Sequence, residues 1–205
     1  ADVRFYPDAT AGEAALREEL ALSDVLILSD YAKGVLTDRV VMEAIAAARA
    51  AGKPVIVDPK SQSFARYAGA SLIKPNAREL GRASGSLCRT TEEVIAAARG
   101  VLARMPVDAL LVTRSAAGMV LIERGAEPVI LEARAREVYD VSGAGDTAIA
   151  GLALGIAAQQ RPDPRQQARV VPELEVLRPL HLRRRIPLEV LVEQGVRVRM
   201  HRAQL

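Results

Sequence analysis

Short unbroken apolar runs alternate with longer amphipathic stretches through the first 158 residues. Residues 12–22 set Ala14, Leu16, Leu20 and Leu22 among charges, which predicts a helix. Asp24-Val25-Leu26-Ile27-Leu28 is solidly apolar after its first residue, the pattern of a strand buried on both faces. Thr37 is placed to cap a helix from about Asp38 to Ala51, and Gly52 to stop it. The pattern then repeats. Residues 54–57 predict a second strand, 71–73 a third, and a helix follows from about Ala77. Thr90 and Glu93 have capping-box spacing ahead of a helix over 92–103. Residues 109–113 predict a fourth strand, and 119–123 with 129–131 a small antiparallel pair. A last helix is predicted from near Gly145 to about Ala158.

Strands alternating with helices at this spacing predict an α/β fold with a mostly parallel sheet. Such sheets bind ligands at the carboxyl ends of their strands. The polar clusters of this chain fall there: Ser29-Asp30, Asp58-Pro59-Lys60, Pro75-Asn76 and Thr113-Arg114. Each cluster taken alone also fits a loop filled with polar residues. Their shared position is the stronger sign.

Composition narrows the classes. Half of the chain is hydrophobic and only 3% aromatic, so the core is aliphatic. The net charge of +3 is unevenly spread: residues 159–205 hold 10 of the 28 basic residues and 5 of the 25 acidic ones. The remainder is slightly acidic, and it lacks the basic stripe with stacking aromatics that nucleic-acid binding calls for. The most apolar long stretch, around 148–158, is too short to cross a bilayer, so no membrane role is expected. Cys88 is the sole cysteine, which excludes an internal disulfide and a cysteine-based metal site. With no basic-then-apolar leader at the start, a cytoplasmic location is expected.

The chemistry concentrates in Asp140-Val141-Ser142-Gly143-Ala144-Gly145-Asp146-Thr147, which opens the last helix. Two glycines around an alanine permit a tight turn that exposes successive N–H groups. The helix N-terminus adds partial positive charge, giving an anion hole suited to nucleotide phosphates. A carboxylate there does not serve phosphate affinity. Asp146 instead suits a base that takes the proton from an attacking hydroxyl. A structural turn with a capping aspartate is the alternative.

This string resembles the second signature of the ribokinase-like (PfkB) carbohydrate kinases, and the resemblance covers about residues 20–158. It implies a three-layer α/β/α fold with a mostly parallel sheet. Leu28 to Gly34, Val57 to Lys60, Lys74 to Glu79 and Val112 to Ser115 resemble the branch that phosphorylates D-glycero-β-D-manno-heptose 7-phosphate. The resemblance implies transfer from ATP-Mg²⁺ to the anomeric hydroxyl of that sugar phosphate, in the supply of ADP-heptose for lipopolysaccharide. It assigns Asp146 as the base and Gly143, Ala144 and Gly145 as the anion hole. It places Asn76 and Glu79 on Mg²⁺ and phosphate through ordered water, a role suited to magnesium. For Glu79 a solvated helix position is the alternative. Thr113, Arg114 and Gly118 match the strand and turn beside the nucleotide phosphates. Homodimers are implied for the intact parent.

Lysine is scarce, with four in the chain, and Lys33, Lys60 and Lys74 all stand at strand ends. A lysine is a compact charge suited to phosphate. Lys60 is expected to face the nucleotide or the sugar phosphate; for Lys33 a solvated loop position is an equal reading.

The chain departs from the family at both ends. It opens on Ala1, after the portion that carries most sugar-binding residues and the lid, which predicts a fragment truncated on its N-terminal side. Residues 159–205 hold 5 of the 11 prolines, both histidines and no lysine. They read as an atypical Arg/Pro-rich tail beyond a kinase core at 1–158, through a shifted frame or a divergent end. The expectation is a weak or inactive kinase. Another sugar or a nucleoside as substrate, or a non-catalytic nucleotide-binding remnant, are the alternatives. A dinucleotide-binding dehydrogenase is disfavoured, since no Gly-x-Gly-x-x-Gly follows the first strand.

Overall fold

The computed structural model describes residues 9–60, 62–132 and 144–160. Six strands form one sheet, in the order in which the chain makes them: β1 (Leu26–Ser29), β2 (Val55–Asp58), β3 (Leu72–Ile73), β4 (Ala109–Thr113), β5 (Met119–Glu123) and β6 (Val129–Leu131). The first four are parallel, and β5 and β6 are antiparallel to their neighbours. The helices are α1 (Ala9–Leu22), α2 (Asp38–Ala50), α3 (Ala77–Ser84), α4 (Thr91–Arg104) and α5 (Ala144–Gln160). Every predicted element within the described residues is present. The tail expected from 159 lies outside them except for Gln159 and Gln160, which continue α5.

Side chains alternate between the two faces of the sheet, as a pleat requires. Val55, Val57, Ile73, Leu110, Val112, Val120 and Ile122 face the helical layer that contains α2, α3 and α4, with Leu20 of α1 in the same core. Ile56, Leu72, Ala109, Leu111 and Leu121 face the other way, against Ile149, Leu152, Ala153 and Ile156 of α5. Helices on both faces give the three-layer α/β/α arrangement. They also explain why the strands read as solid apolar runs rather than alternating ones.

Caps set the helix starts. The Thr37 hydroxyl accepts from the Val40 N–H at 3.3 Å, and Thr90 with Glu93 forms a complete capping box. Ala51 caps the end of α2, and Gly52 follows at φ 66°. Two short 3-10 turns were not foreseen, Ala65–Tyr67 and Ser115–Ala117.

At the end of β5, Glu123 is only 7% exposed, and its Oε1 lacks a hydrogen-bond partner. Burial, with help from the Asp108 carboxylate, pushes its carboxyl up to about 7 from an ordinary 4.5. Between those values the folded chain keeps a proton that the unfolded chain has released, so stability falls as pH rises through the window. Glu123→Gln is expected to stabilise the fold at pH 8 by on the order of 1–2 kcal/mol, an advantage that fades by pH 4.5. Thermal melts at the two pH values check this, and an equal difference at both would refute it.

Candidate active site

The carboxyl ends of β2 and β3 meet the first turn of α5. On β2, Asp58 is 4% exposed. On the segment after β3, Lys74 is 3% exposed and is fixed by its N–H donating to the Val57 carbonyl at 2.8 Å. The Lys74 Nζ stands 3.1 Å from Asp58 Oδ1. This is an ion pair by distance, but the oxygen still lacks a hydrogen bond, so the ammonium is out of line with it. The same Nζ lies 3.5 Å from the point where a Cβ on Gly145 would stand. The glycine lets the first turn of α5 approach the ammonium without a side chain between them.

Asn76 and Glu79 are locked together. Asn76 Oδ1 accepts from the Glu79 N–H at 2.8 Å, and Glu79 Oε2 accepts from the Asn76 N–H at 2.8 Å. The Asn-x-x-Glu spacing is thus also a capping box, starting α3 where β3 ends. Lys60 donates to Glu79 Oε1 at 3.0 Å and lies 3.9 Å from Asp58 Oδ1. Lys60 therefore ties the end of β2 to the start of α3. Thr113 joins the group through the backbone: its N–H donates to the Pro75 carbonyl at 2.9 Å, beside a parallel bridge from Asn76 to Thr113.

Arg114 turns aside, donating from Nη1 to Thr91 Oγ1 at 2.8 Å and pinning the turn to the start of α4. Gly118 closes that turn at φ 77° and ψ −138°, a conformation in which a side chain is strained, while the Arg114 N–H donates to its carbonyl at 2.8 Å. Ala144, Gly145 and Asp146 are the first three residues of α5; Gly143 lies outside the described residues.

At the end of β1, Asp30 is 3% exposed. It accepts from Tyr67 Oη at 2.5 Å and from the Ala32 N–H at 2.8 Å, with Arg66 Nη1 at 3.3 Å. Arg66 also donates to the Leu36 carbonyl, so one 3-10 turn fastens both ends of the loop that carries Lys33.

The donor set fits a hydrated magnesium better than a directly ligated one. The cap occupies Asn76 Oδ1 and Glu79 Oε2, and Lys60 occupies Glu79 Oε1. Among the described residues no three His, Cys, Asp or Glu side chains are grouped to hold a metal. Asp58 Oδ1, buried without a donor, is an acceptor an ordered water can meet. Asp58, Asn76 and Glu79 are the residues that would hold the ion through its water shell.

Of the residues expected from sequence, Asn76, Glu79, Lys60, Thr113 and Gly145 come together. Asp30 and Asp58 were read as members of polar clusters and Lys74 as one of the scarce lysines at strand ends, and their burial was not foreseen. A depression of about 400 Å³ lined by Arg49, Arg104, Asp108 and Arg124 lies at the opposite, amino end of β4, away from this chemistry.

Residues 2–164 match the family described as pfkB family carbohydrate kinase. The bifunctional protein HldE of Gluconacetobacter diazotrophicus is 54% identical over 151 residues, covering 73% of this chain and 31% of the relative. That of Caulobacter vibrioides is 55% identical over 152 residues, covering 74% and 32%. The chain thus spans about a third of the length of these relatives. Among solved structures, Arabidopsis thaliana ribokinase complexed with ribose and ATP superposes with a TM-score of 0.62 at 25% identity, over 69% of this chain and 45% of that one. Phosphofructokinase-2 of Escherichia coli, in complex with potassium, gives 0.61 at 19% identity over 71% and 48%, a likeness of fold.

Proposed function

We infer the reaction from the family: the chain belongs to the pfkB carbohydrate kinases, and its proposed role is ATP-dependent phosphorylation of a sugar phosphate. The observation that carries this reading is the buried Lys74–Asp58 pair at the ends of β2 and β3, whose ammonium lies 3.5 Å from the Cβ position of Gly145 in the first turn of α5. The acceptor proposed is the anomeric hydroxyl of D-glycero-β-D-manno-heptose 7-phosphate. Support for it comes from the strand-end strings 28–34, 57–60, 74–79 and 112–115, which resemble that branch, and from relatives that are 54% and 55% identical.

In this reading the backbone N–H groups of Gly143, Ala144 and Gly145 hold the γ-phosphoryl group at the positive end of α5. Asp146 accepts the proton of the sugar hydroxyl as its oxygen bonds to the γ-phosphorus. The bond from that phosphorus to the β–γ bridging oxygen breaks, and ADP leaves. Magnesium, when bound, neutralises charge on the phosphates. Asn76 and Glu79 orient water toward it, and Thr113 with Gly118 sets the turn beside the nucleotide.

The test is calorimetry with ATP-Mg²⁺, followed by incubation with heptose 7-phosphate, ribose and fructose 6-phosphate. Phosphorus resonance identifies the product. The expected result is nucleotide binding with slow transfer, giving an anomeric phosphate on the heptose. Transfer to another sugar in its place would reassign the substrate. Binding with no transfer to any sugar would favour a nucleotide-binding role without catalysis, and no binding would remove both readings.

A further inference from the structure

Lys74 is a charge placed where fold stability alone disfavours one. Burying an ammonium costs several kcal/mol unless its pairing is excellent. Here the pairing is imperfect, since Asp58 Oδ1 receives no hydrogen bond from the ammonium 3.1 Å away. That carboxylate is also shared with Lys60 at 3.9 Å. The surroundings make matters worse. A helix N-terminus carries partial positive charge and favours anions. Lys74 Nζ nevertheless sits 3.5 Å from the Cβ position of Gly145, in the first turn of α5. Two positive ends are thus held together by the fold, and among the described side chains the carboxylate paired with the ammonium is Asp58.

An ammonium has three donors in three directions, so pairing with Asp58 leaves it able to serve a second acceptor. Lys60 is differently placed. Its side chain is 41% exposed, and it is spent on Glu79 at 3.0 Å. The expectation that Lys60 carries the phosphate contact therefore moves to its buried neighbour.

We propose that the Lys74 ammonium binds the transferring γ-phosphoryl group of the nucleotide, completing the anion hole at the first turn of α5 in an arrangement fixed before the nucleotide arrives. This rests on the phosphoryl-transfer reading above and adds a catalytic residue to it. A preorganised cation at developing phosphoryl charge acts without reorganising during the reaction. Lys74 thereby makes the site sensitive to the third phosphate, since ADP presents no γ-phosphoryl group.

The experiment is calorimetry of ATP-Mg²⁺ and ADP-Mg²⁺ on this chain, on Lys74→Met and on Lys53→Met. Lys53 lies at the amino end of β2, away from the strand ends that form the site. The expected result is a 10- to 100-fold loss of ATP affinity in Lys74→Met, with ADP affinity within about threefold and Lys53→Met unchanged. Because that variant leaves Asp58 buried and less well paired, the unmutated chain supplies a second measurement. Acetic anhydride labelling, read by peptide mass, is expected to be slowed at Lys74 by ATP-Mg²⁺ and not by ADP-Mg²⁺. Equal losses for the two nucleotides, or equal protection by them, would overturn the role of Lys74 and leave the proposed function standing. An unmutated chain that binds neither nucleotide would remove both.

Discussion

Asp146→Asn is expected to slow phosphoryl transfer by roughly 10²- to 10⁴-fold, the range measured when a general base is lost. The substitution keeps the size of the side chain and removes its capacity to take a proton. Nucleotide affinity is expected to hold or rise slightly, because one negative charge leaves the neighbourhood of the phosphates. That separation is the informative part. A structural capping aspartate would change folding and binding together, whereas a base changes the chemical step alone. Single-turnover transfer from ATP, measured beside calorimetry on the same two proteins, distinguishes them. Full transfer by Asp146→Asn would dismiss the base, and loss of nucleotide binding would recast Asp146 as part of the helix cap.

Asp30→Ala is expected to cost about 3–5 kcal/mol of fold stability, the usual result of removing one partner from a buried charged pair. Asp30 holds the Tyr67 hydroxyl at 2.5 Å, the Arg66 guanidinium at 3.3 Å and the Ala32 N–H at 2.8 Å. Its removal takes the carboxylate acceptor from the buried Tyr67 hydroxyl and leaves the largely buried Arg66 guanidinium to the exposed Asp38 carboxylate, 3.0 Å from its Nε. It also releases Ala32, which sits at φ 54° with its N–H anchored only two residues back. Tyr67→Phe removes one of these interactions and is expected to cost about 1–3 kcal/mol. Urea unfolding of the two single variants and the double variant measures both. The double variant should fall short of the sum, since the two groups share one network. A loss under about 1 kcal/mol for Asp30→Ala would show that the cluster contributes little.

The strands and helices were legible because each has a local cause. Val55-Ile56-Val57 and Leu110-Leu111-Val112 are apolar on both faces because both faces are covered. Thr90 and Glu93 announce a helix start by side-chain chemistry four residues wide. The site was legible only in part. The close approach at Gly145 could be read from its string, since backbone freedom is a property of the residue itself, and Asp146 is proposed from the same string. The double use of Asn76 and Glu79 was missed, although their spacing is that of a capping box. The burial of Lys74 was missed for a deeper reason. A lysine at a strand end reads as exposed unless one knows that the first turn of α5, some seventy residues later, lies over it. The Asp30 cluster likewise joins residues 36 and 37 positions apart, with nothing in either segment to announce the other.

The strand order and the two faces of the sheet together constrain when the proposed catalytic centre can come into being. Each strand from β2 to β6 docks on the one made just before it, so the sheet grows by local additions as the chain lengthens. Ile56, Leu72, Ala109, Leu111 and Leu121 wait on one side until α5 arrives to cover them. The segment that covers this face is the one whose first turn carries the backbone proposed to bind phosphate, with Asp146. Partly folded chains therefore combine an uncovered apolar face with an incomplete anion hole. Assembly of the proposed centre is tied to closure of the core, and nucleotide binding by this chain would report that the last layer has docked.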